Sequence, residues 1–294
     1  MTSTANSPGR LGNQIFRNII TSEIARLNGL KVNEYGMYNQ HVGLGIQLYT
    51  HGKNEYRSTI EITDDNCLDY LIHHKPARAN INTNNHYFQT PDVTRYIYQC
   101  LTSEPQKNSI INTNKYKERY NNNNDLFVHL RLGDAYYLHP NIEYYDEAIS
   151  KCHDFTNGYI STEPHSYTHP LCQELIRKYK LKPLPTNLDE VNTIMFASTC
   201  KNIVLSNGSF SWTMGALGFY SKVIYPELIE LWTGDIYVIP EWIEILRPNH
   251  RLHARFFDYS DSVGNIVVRK SKQGNNSVDN TVRPPSTKMK MKFH

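Results

Sequence analysis

Asp125-Leu-Phe-Val-His-Leu-Arg-Leu-Gly133 is the stretch that decides the fold class of this 294-residue chain. It is a short apolar run that ends in a polar, glycine-containing turn, the pattern of a buried strand in a parallel sheet. Similar short runs follow at 157–161, 202–205 and 222–225. Segments with helical periodicity separate these runs, so the second half predicts an α/β fold with a doubly wound parallel sheet.

The remaining elements follow from the same two periodicities. Apolar residues at helical spacing predict a helix over 15–27 that ends at Asn28-Gly29. Further helices are expected over 144–152, 170–179, 188–200 and 212–220. Residues 35–124 give only weak, mixed patterns, and they end in a run of four asparagines that is typical of a connector.

The chain is predicted to have three parts, and the connector ends the first of them. These are an N-terminal domain over 1–124, a second domain over 125–247 and a C-terminal extension over 248–294. From about residue 270 the extension is basic and lacks periodicity, so we expect it to be disordered. From Arg269 onward seven Lys or Arg and one acid give +6, which leaves −3 of the total net charge of +3 for the body. The body is therefore not an evident polyanion-binding surface.

Composition excludes several classes of protein. With 39% hydrophobic and 20% charged residues, the chain is neither a disordered polymer nor a membrane protein. It shows no signal-peptide pattern and no run of about 18 apolar residues, so we expect a soluble protein. Five widely spaced cysteines favour reduced thiols in the cytoplasm, with a secreted protein carrying one unpaired thiol as the alternative. The histidines lack metal-ligand spacing, so neither a metal nor another cofactor is predicted.

Three polar loops are candidate sites, since ligands of open α/β sheets bind beyond the carboxyl ends of the strands. In the first loop Arg131 offers a planar fork of donors for a phosphate, between His129 and Gly133-Asp134. The alternative interpretation is an Arg131–Asp134 ion pair and a core histidine. This pattern alone does not decide between them.

The second candidate loop is Ser206-Asn207-Gly208-Ser209-Phe210-Ser211, between a strand and a helix. Small hydroxyls and backbone N–H groups at a helix N-terminus favour an anion, although Ser209 or Ser211 could simply cap the helix. The third is Gly9-Arg10-Leu11-Gly12-Asn13-Gln14, whose glycines allow close backbone approach. It matches neither a dinucleotide fingerprint nor a P-loop, and Asn13 as a helix cap is the alternative.

Together the three loops resemble the family 11 α-1,2-fucosyltransferases and, more loosely, the α-1,6- and protein O-fucosyltransferases. Residues 9–16 are similar to the family's G-x-L-G-N-Q-M-F. Residues 127–134 are similar to V-H-x-R-R-G-D, and residues 144–149 to Y-Y-x-x-A-I. Residues 198–212 are similar to M-S-x-C-K-H-x-I-I-x-N-S-T-F-S-W-W. The order and spacing agree over residues 8 to 226, which makes the resemblance specific.

The resemblance implies a GT-B-like fold in which two Rossmann-like domains face a cleft, with residues 1–124 on the acceptor side. It also implies metal-independent, inverting transfer of L-fucose from GDP-fucose to a glycan hydroxyl, α-1,2 to galactose. Arg131 would hold the β-phosphate, and Asp134 would position groups or, alternatively, act as a base. The donor would lie against His129, Ser161, Glu163, Asn207, Ser209, Phe210 and Ser211. Gly9, Arg10, Gly12, Asn13 and Gln14 would line the cleft.

Several departures from the family pattern keep other functions open. Leu132 replaces the second arginine, and Thr193 stands where relatives carry an acid that may read guanine. The family's S-D-D becomes Ser161-Thr162-Glu163. Alternatives are therefore a transferase for another nucleotide sugar or a non-catalytic GDP- or sugar-binding module. Nucleic acid is not an expected partner, although the basic tail could contact an anionic surface.

Overall fold

A computed structural model describes residues 9–133, 139–227 and 235–246, and the backbone of residues 3–5, 257–258 and 267–268. It has a mixed α/β architecture with two parallel sheets, compatible with a Rossmann-like fold. The predicted α/β class is thus confirmed. A short antiparallel pair of strands, β11 (Phe257–Asp258) and β12 (Val267–Val268), belongs to the separate unit 251–294. The predicted disorder from residue 270 lies outside the described residues.

The smaller sheet comes from the first 82 residues and has the strand order β2-β1-β4-β3. Its strands are β1 (Ser3–Ala5), β2 (Val32–Tyr35), β3 (Thr59–Glu61) and β4 (Asn80–Asn82). The helices of this half are α1 (Leu11–Asn28), α2 (Tyr38–Gly43), α3 (Cys67–Leu71), α4 (Pro91–Thr102) and α5 (Glu104–Thr113). All pairings are parallel.

The larger sheet has six parallel strands in the order β7-β6-β5-β8-β9-β10. They are β5 (Leu126–His129), β6 (Gly158–Ser161), β7 (Lys182–Pro183), β8 (Asn202–Val204), β9 (Lys222–Pro226) and β10 (Ile243–Ile245). Its helices are α6 (Ile142–Ser150), α7 (Pro170–Tyr179), α8 (Glu190–Ala197) and α9 (Ser209–Ala216). Counted within this sheet the order is 3-2-1-4-5-6, that of a doubly wound sheet.

Two predicted helix starts were wrong. Helix α1 begins at Leu11 rather than residue 15, after Arg10 in an extended conformation, so Asn13 is not its cap. Helix α9 begins at Ser209 rather than residue 212. In both cases candidate site residues lie in the first turn of a helix and not in the loop before it.

A continuous apolar core joins the two halves of the unit 1–250. Phe16 of α1 packs on Trp212 of α9 with ring centroids 4.6 Å apart, and both side chains are fully buried. Trp242, just before β10, also packs on Trp212, with ring centroids 6.2 Å apart. The two sheets therefore share a buried contact through the helices that carry the candidate site.

Candidate functional site at the strand-order reversal

The candidate site lies where the larger sheet reverses its strand order. Strands β5 and β8 are neighbours, yet the chain leaves them toward opposite edges of the sheet. A crevice opens outside the carboxyl ends of two such strands, and this is where doubly wound sheets bind ligands. The segments that follow these strands, 130–133 and 205–208, are two of the loops selected from the sequence.

Arg131 and Gly208 meet in this crevice. Gly208 has φ of 101°, and a Cβ on it would collide with Nη1 of Arg131 and lie 3.1 Å from Cζ. The Arg131 backbone N–H also donates to Ser206 Oγ at 3.3 Å. A guanidinium is thereby held against the residue that precedes α9. Glycine is suited to position 208 because it tolerates the positive φ and leaves room for the arginine.

The segment between β8 and α9 leads into a helix N-terminus that has no side-chain cap. Gly208 is the N-cap residue of α9 and provides no side-chain cap. Ser211 is fully buried, and its Oγ accepts the Ser206 backbone N–H at 2.8 Å, so it stabilises the turn. Unsatisfied N–H groups at a helix start favour an anion, and the adjacent Arg131 adds a full positive charge.

Helix α1 packs directly against this N-terminus. A Cβ on Gly12 would clash with the backbone N of Phe210 and would lie 2.7 Å from Ser209 Oγ. Asn13 Oδ1 accepts a hydrogen bond from Ser209 Oγ at 2.6 Å and another from Gln89 Nε2 at 2.9 Å. The start of α1 and the 206–211 segment are therefore in direct contact.

His129 forms the buried wall of the site. It is 6% exposed, its ring lies 5.6 Å from that of Phe210, and its Nδ1 has no hydrogen-bond partner among the described residues. Burial, assisted by the charge of Arg131, lowers the pKa of His129 to about 4 despite the opposing effect of Glu163. At neutral pH the ring is uncharged and presents a buried nitrogen that a ligand could satisfy.

Glu163 links the end of β6 to both neighbouring loops. Its Oε2 accepts the Leu132 backbone N–H at 3.1 Å and the Thr162 hydroxyl at 3.2 Å. Its Oε1 lies 3.8 Å from Arg10 Nη1. Burial disfavours the charge, but hydrogen bonds from its own N–H, from Leu132 and from Thr162 outweigh this and lower the pKa of Glu163.

We expect Glu163→Gln to destabilise the fold by about 1.5–3 kcal/mol at pH 7, the usual contribution of a hydrogen bond to a charged group. The folded-state pKa lies below the ordinary 4.5, so this contribution is present above pH 4.5 and is lost as the pH falls through the lower folded value. Urea unfolding at pH 7 and pH 3.5 measures it, with exposed Glu174→Gln as the control. If the free energy of unfolding differs between Glu163→Gln and wild type by the same amount at both pH values, this assignment is contradicted.

The other sequence-selected residues lie around the same crevice, with one outside the described ranges. Ser161 is buried at the end of β6, paired in register with His129. Asn207 is 8% exposed beside Gly208. Gln14 is buried and its Nε2 donates to the Gly9 carbonyl at 3.4 Å. Asp134 lies outside the described residues, so its two proposed roles stay predictions.

Some residues that shape the site carried no usable signal in the sequence. The Tyr237 hydroxyl donates to the carbonyls of Ser206 (2.5 Å) and Gly208 (3.2 Å) from a buried position. Tyr144 donates to the Leu205 carbonyl at 2.6 Å, a hydrogen bond that the sequence pattern did not indicate. Only the second of these could have been suspected, because Tyr144 lies in a motif. Tyr237 follows β9 without any pattern.

Searches for similar proteins add no assignment. No protein-family model matches the chain, and neither a curated protein nor a solved structure matches it significantly.

Within the described ranges, His, Cys, Asp and Glu side chains form no group of three or more that could hold a metal ion. None of the helices in those ranges combines the length and the hydropathy needed to cross a membrane. All five cysteines are free thiols.

Proposed function

We propose that this protein is an inverting glycosyltransferase that moves L-fucose from GDP-fucose to a glycan hydroxyl, α-1,2 to galactose. The observation that carries the proposal is the Arg131 guanidinium packed against Gly208, at the reversal point of the larger sheet and the start of α9. A diphosphate is the anion that suits a bidentate cation beside a helix N-terminus. The choice of fucose as the sugar and guanine as the nucleobase comes from the motif resemblance.

In the proposed reaction the acceptor oxygen forms a bond to the anomeric carbon of fucose. The bond from that carbon to the β-phosphate oxygen breaks, and its electron pair leaves with GDP. Arg131 stabilises the charge that grows on the departing diphosphate, a role that requires no proton transfer at that end. The neutral His129 ring and Ser209 border the donor. The two sheet-bearing halves, 1–124 and 125–247, act as the acceptor and donor domains of a GT-B-like enzyme.

A non-catalytic GDP- or sugar-binding module is the second candidate, and two observations favour it. Leu132 is 5% exposed and packs in the apolar core, so it cannot perform any task of a second arginine. Thr193 is also buried, and its hydroxyl donates to the Asp189 carbonyl. It therefore offers no carboxylate to guanine.

Turnover and ligand selectivity separate these functions. We expect the protein, incubated in EDTA with GDP-fucose and a panel of β-galactosides, to release GDP and form fucosylated product. We also expect GDP, but not UDP, to raise Tm, since a ligand at 100 times its Kd stabilises the fold by about 2.7 kcal/mol.

Each contrary outcome has a distinct meaning. GDP binding without turnover or donor hydrolysis would assign the binding module, and selective stabilisation by UDP would assign another donor. If neither nucleotide binds and no acceptor is modified, the proposed function is wrong.

A further inference from the structure

A second polar cluster lies at the carboxyl ends of β3 and β4, in the half without Arg131. The His86 Nδ1 lies 2.9 Å from Asp64 Oδ2, and its Nε2 lies 3.9 Å from Glu61 Oε1. Asp64 follows β3, and His86 is in the segment after β4. Neither residue belongs to the loops selected from the sequence, and the donor site does not use them.

The parallel pairing of the smaller sheet places His86 at the same end of the sheet as the start of α1. Strand β4 pairs with β1 in parallel, so the carboxyl ends of the two strands lie side by side. The segment that carries His86 follows β4, and α1 follows β1.

The His86–Asp64 dyad and the donor site are joined by hydrogen bonds along α1. Arg17 Nε donates to the His86 carbonyl at 3.2 Å, and Gln89 Nε2 donates to Asn13 Oδ1 at 2.9 Å. Asn13 also accepts the hydroxyl proton of Ser209 at the donor site. Asn13 and Arg17 are one helical turn, about 6 Å, apart. The segment 83–90 thus runs along α1 from the donor site to the dyad.

The geometry of the dyad fixes which ring nitrogen faces Asp64. A carboxylate can only accept, so Nδ1 of His86 donates its N–H to Asp64, and in the neutral ring the lone pair is on Nε2. His86 is 28% exposed at its side chain, so it is not a sealed core histidine. The nitrogen that could act as a base is the one that Asp64 leaves unprotonated.

We propose that His86, oriented by Asp64, is the general base that deprotonates the acceptor hydroxyl; this rests on the proposed function. As the acceptor oxygen bonds to the anomeric carbon and GDP departs, the hydroxyl proton passes to His86 Nε2. The resulting imidazolium is stabilised by Asp64 and Glu61, and it then returns its proton to solvent. His86 is the catalytic residue and Asp64 a positioning residue. The charged or titratable groups around His86 are Asp64, Glu61, Arg17 and Tyr87.

The test compares transfer with donor binding. A positioned general base contributes about 100- to 10,000-fold, so His86→Asn should lower kcat for fucosyl transfer by that factor and leave the Kd of GDP unchanged. Asp64→Asn should lower kcat by a smaller factor and leave the KM of the donor unchanged, because the ring keeps its nitrogen but loses the carboxylate that orients it. The exposed His73→Asn is the matched control, with no change expected.

The outcomes distinguish this proposal from the proposed function. Wild-type transfer rates in His86→Asn would overturn the base assignment while the transferase stands. If His86→Asn loses GDP binding through misfolding, kcat in Asp64→Asn decides, and a wild-type kcat in that variant overturns the assignment. If the wild-type protein itself neither binds GDP nor transfers fucose, the proposed function fails and the base assignment with it.

Discussion

Replacing Arg131 by alanine is expected to lower kcat for GDP release from GDP-fucose by about 100- to 1,000-fold, the usual cost of removing one preorganised electrostatic donor. The guanidinium lies against Gly208 at the start of α9, where charge on the leaving diphosphate would develop. Arg131→Lys should recover part of the loss, since it keeps the charge but not the planar fork.

The control for this experiment is Arg177→Ala, because Arg177 is an exposed arginine on α7, outside the crevice. Steady-state kinetics with saturating donor and acceptor separates kcat from KM. A wild-type kcat in Arg131→Ala would show that this residue does not stabilise the charge of the leaving group. Gly208→Ala offers an independent check, because the added methyl group would occupy the space of the guanidinium.

The second large effect concerns the buried contact between the two halves. Trp212→Ala should destabilise the fold by about 3–5 kcal/mol, the typical cost of truncating a buried tryptophan. Trp212 is fully buried between Phe16 and Trp242, so alanine would leave a cavity under the start of α9. At roughly 2–4 °C per kcal/mol, Tm should fall by about 6–20 °C.

Trp212→Phe is the matched control for this change. The indole Nε1 has no hydrogen-bond partner among the described residues, so phenylalanine removes ring volume without losing a hydrogen bond. Scanning calorimetry on both variants should place Trp212→Phe between wild type and Trp212→Ala. A Trp212→Ala protein that melts with wild-type Tm would show that the halves do not depend on this contact.

The second half of the fold could be predicted because its signals are local. The apolar run of β5 and the start of α7 at Pro170 can each be recognised from residues that are adjacent in the sequence. The individual strands of the smaller sheet could not be located from local patterns, because strands such as Asn80–Asn82 and Thr59–Glu61 are three residues long and mostly polar. They form strands because other strands pair with them, and that pairing is not visible in a local pattern.

The same distinction applies to the site. The meeting of Arg131 with Gly208 follows from the strand-end rule and needs only the order of the elements. The early start of α1 does not follow from this rule, because Arg10 supplies no capping side chain and Gly12 packs on the distant Phe210. The Asp64–His86 pair depends on two loops 22 positions apart meeting at a sheet edge, which no motif encodes.

The claim that Arg131 holds a diphosphate is tested most directly by calorimetric titration of GDP and GMP into wild type and Arg131→Ala at one salt concentration. A charge-assisted hydrogen bond contributes about 1.5–3 kcal/mol, so wild type should bind GDP at least about tenfold more tightly than GMP. Arg131→Ala should lose most of this preference, since only the helix N-terminus would remain to bind the second phosphate. Equal wild-type affinities, or an undiminished preference for GDP in Arg131→Ala, would contradict the claim.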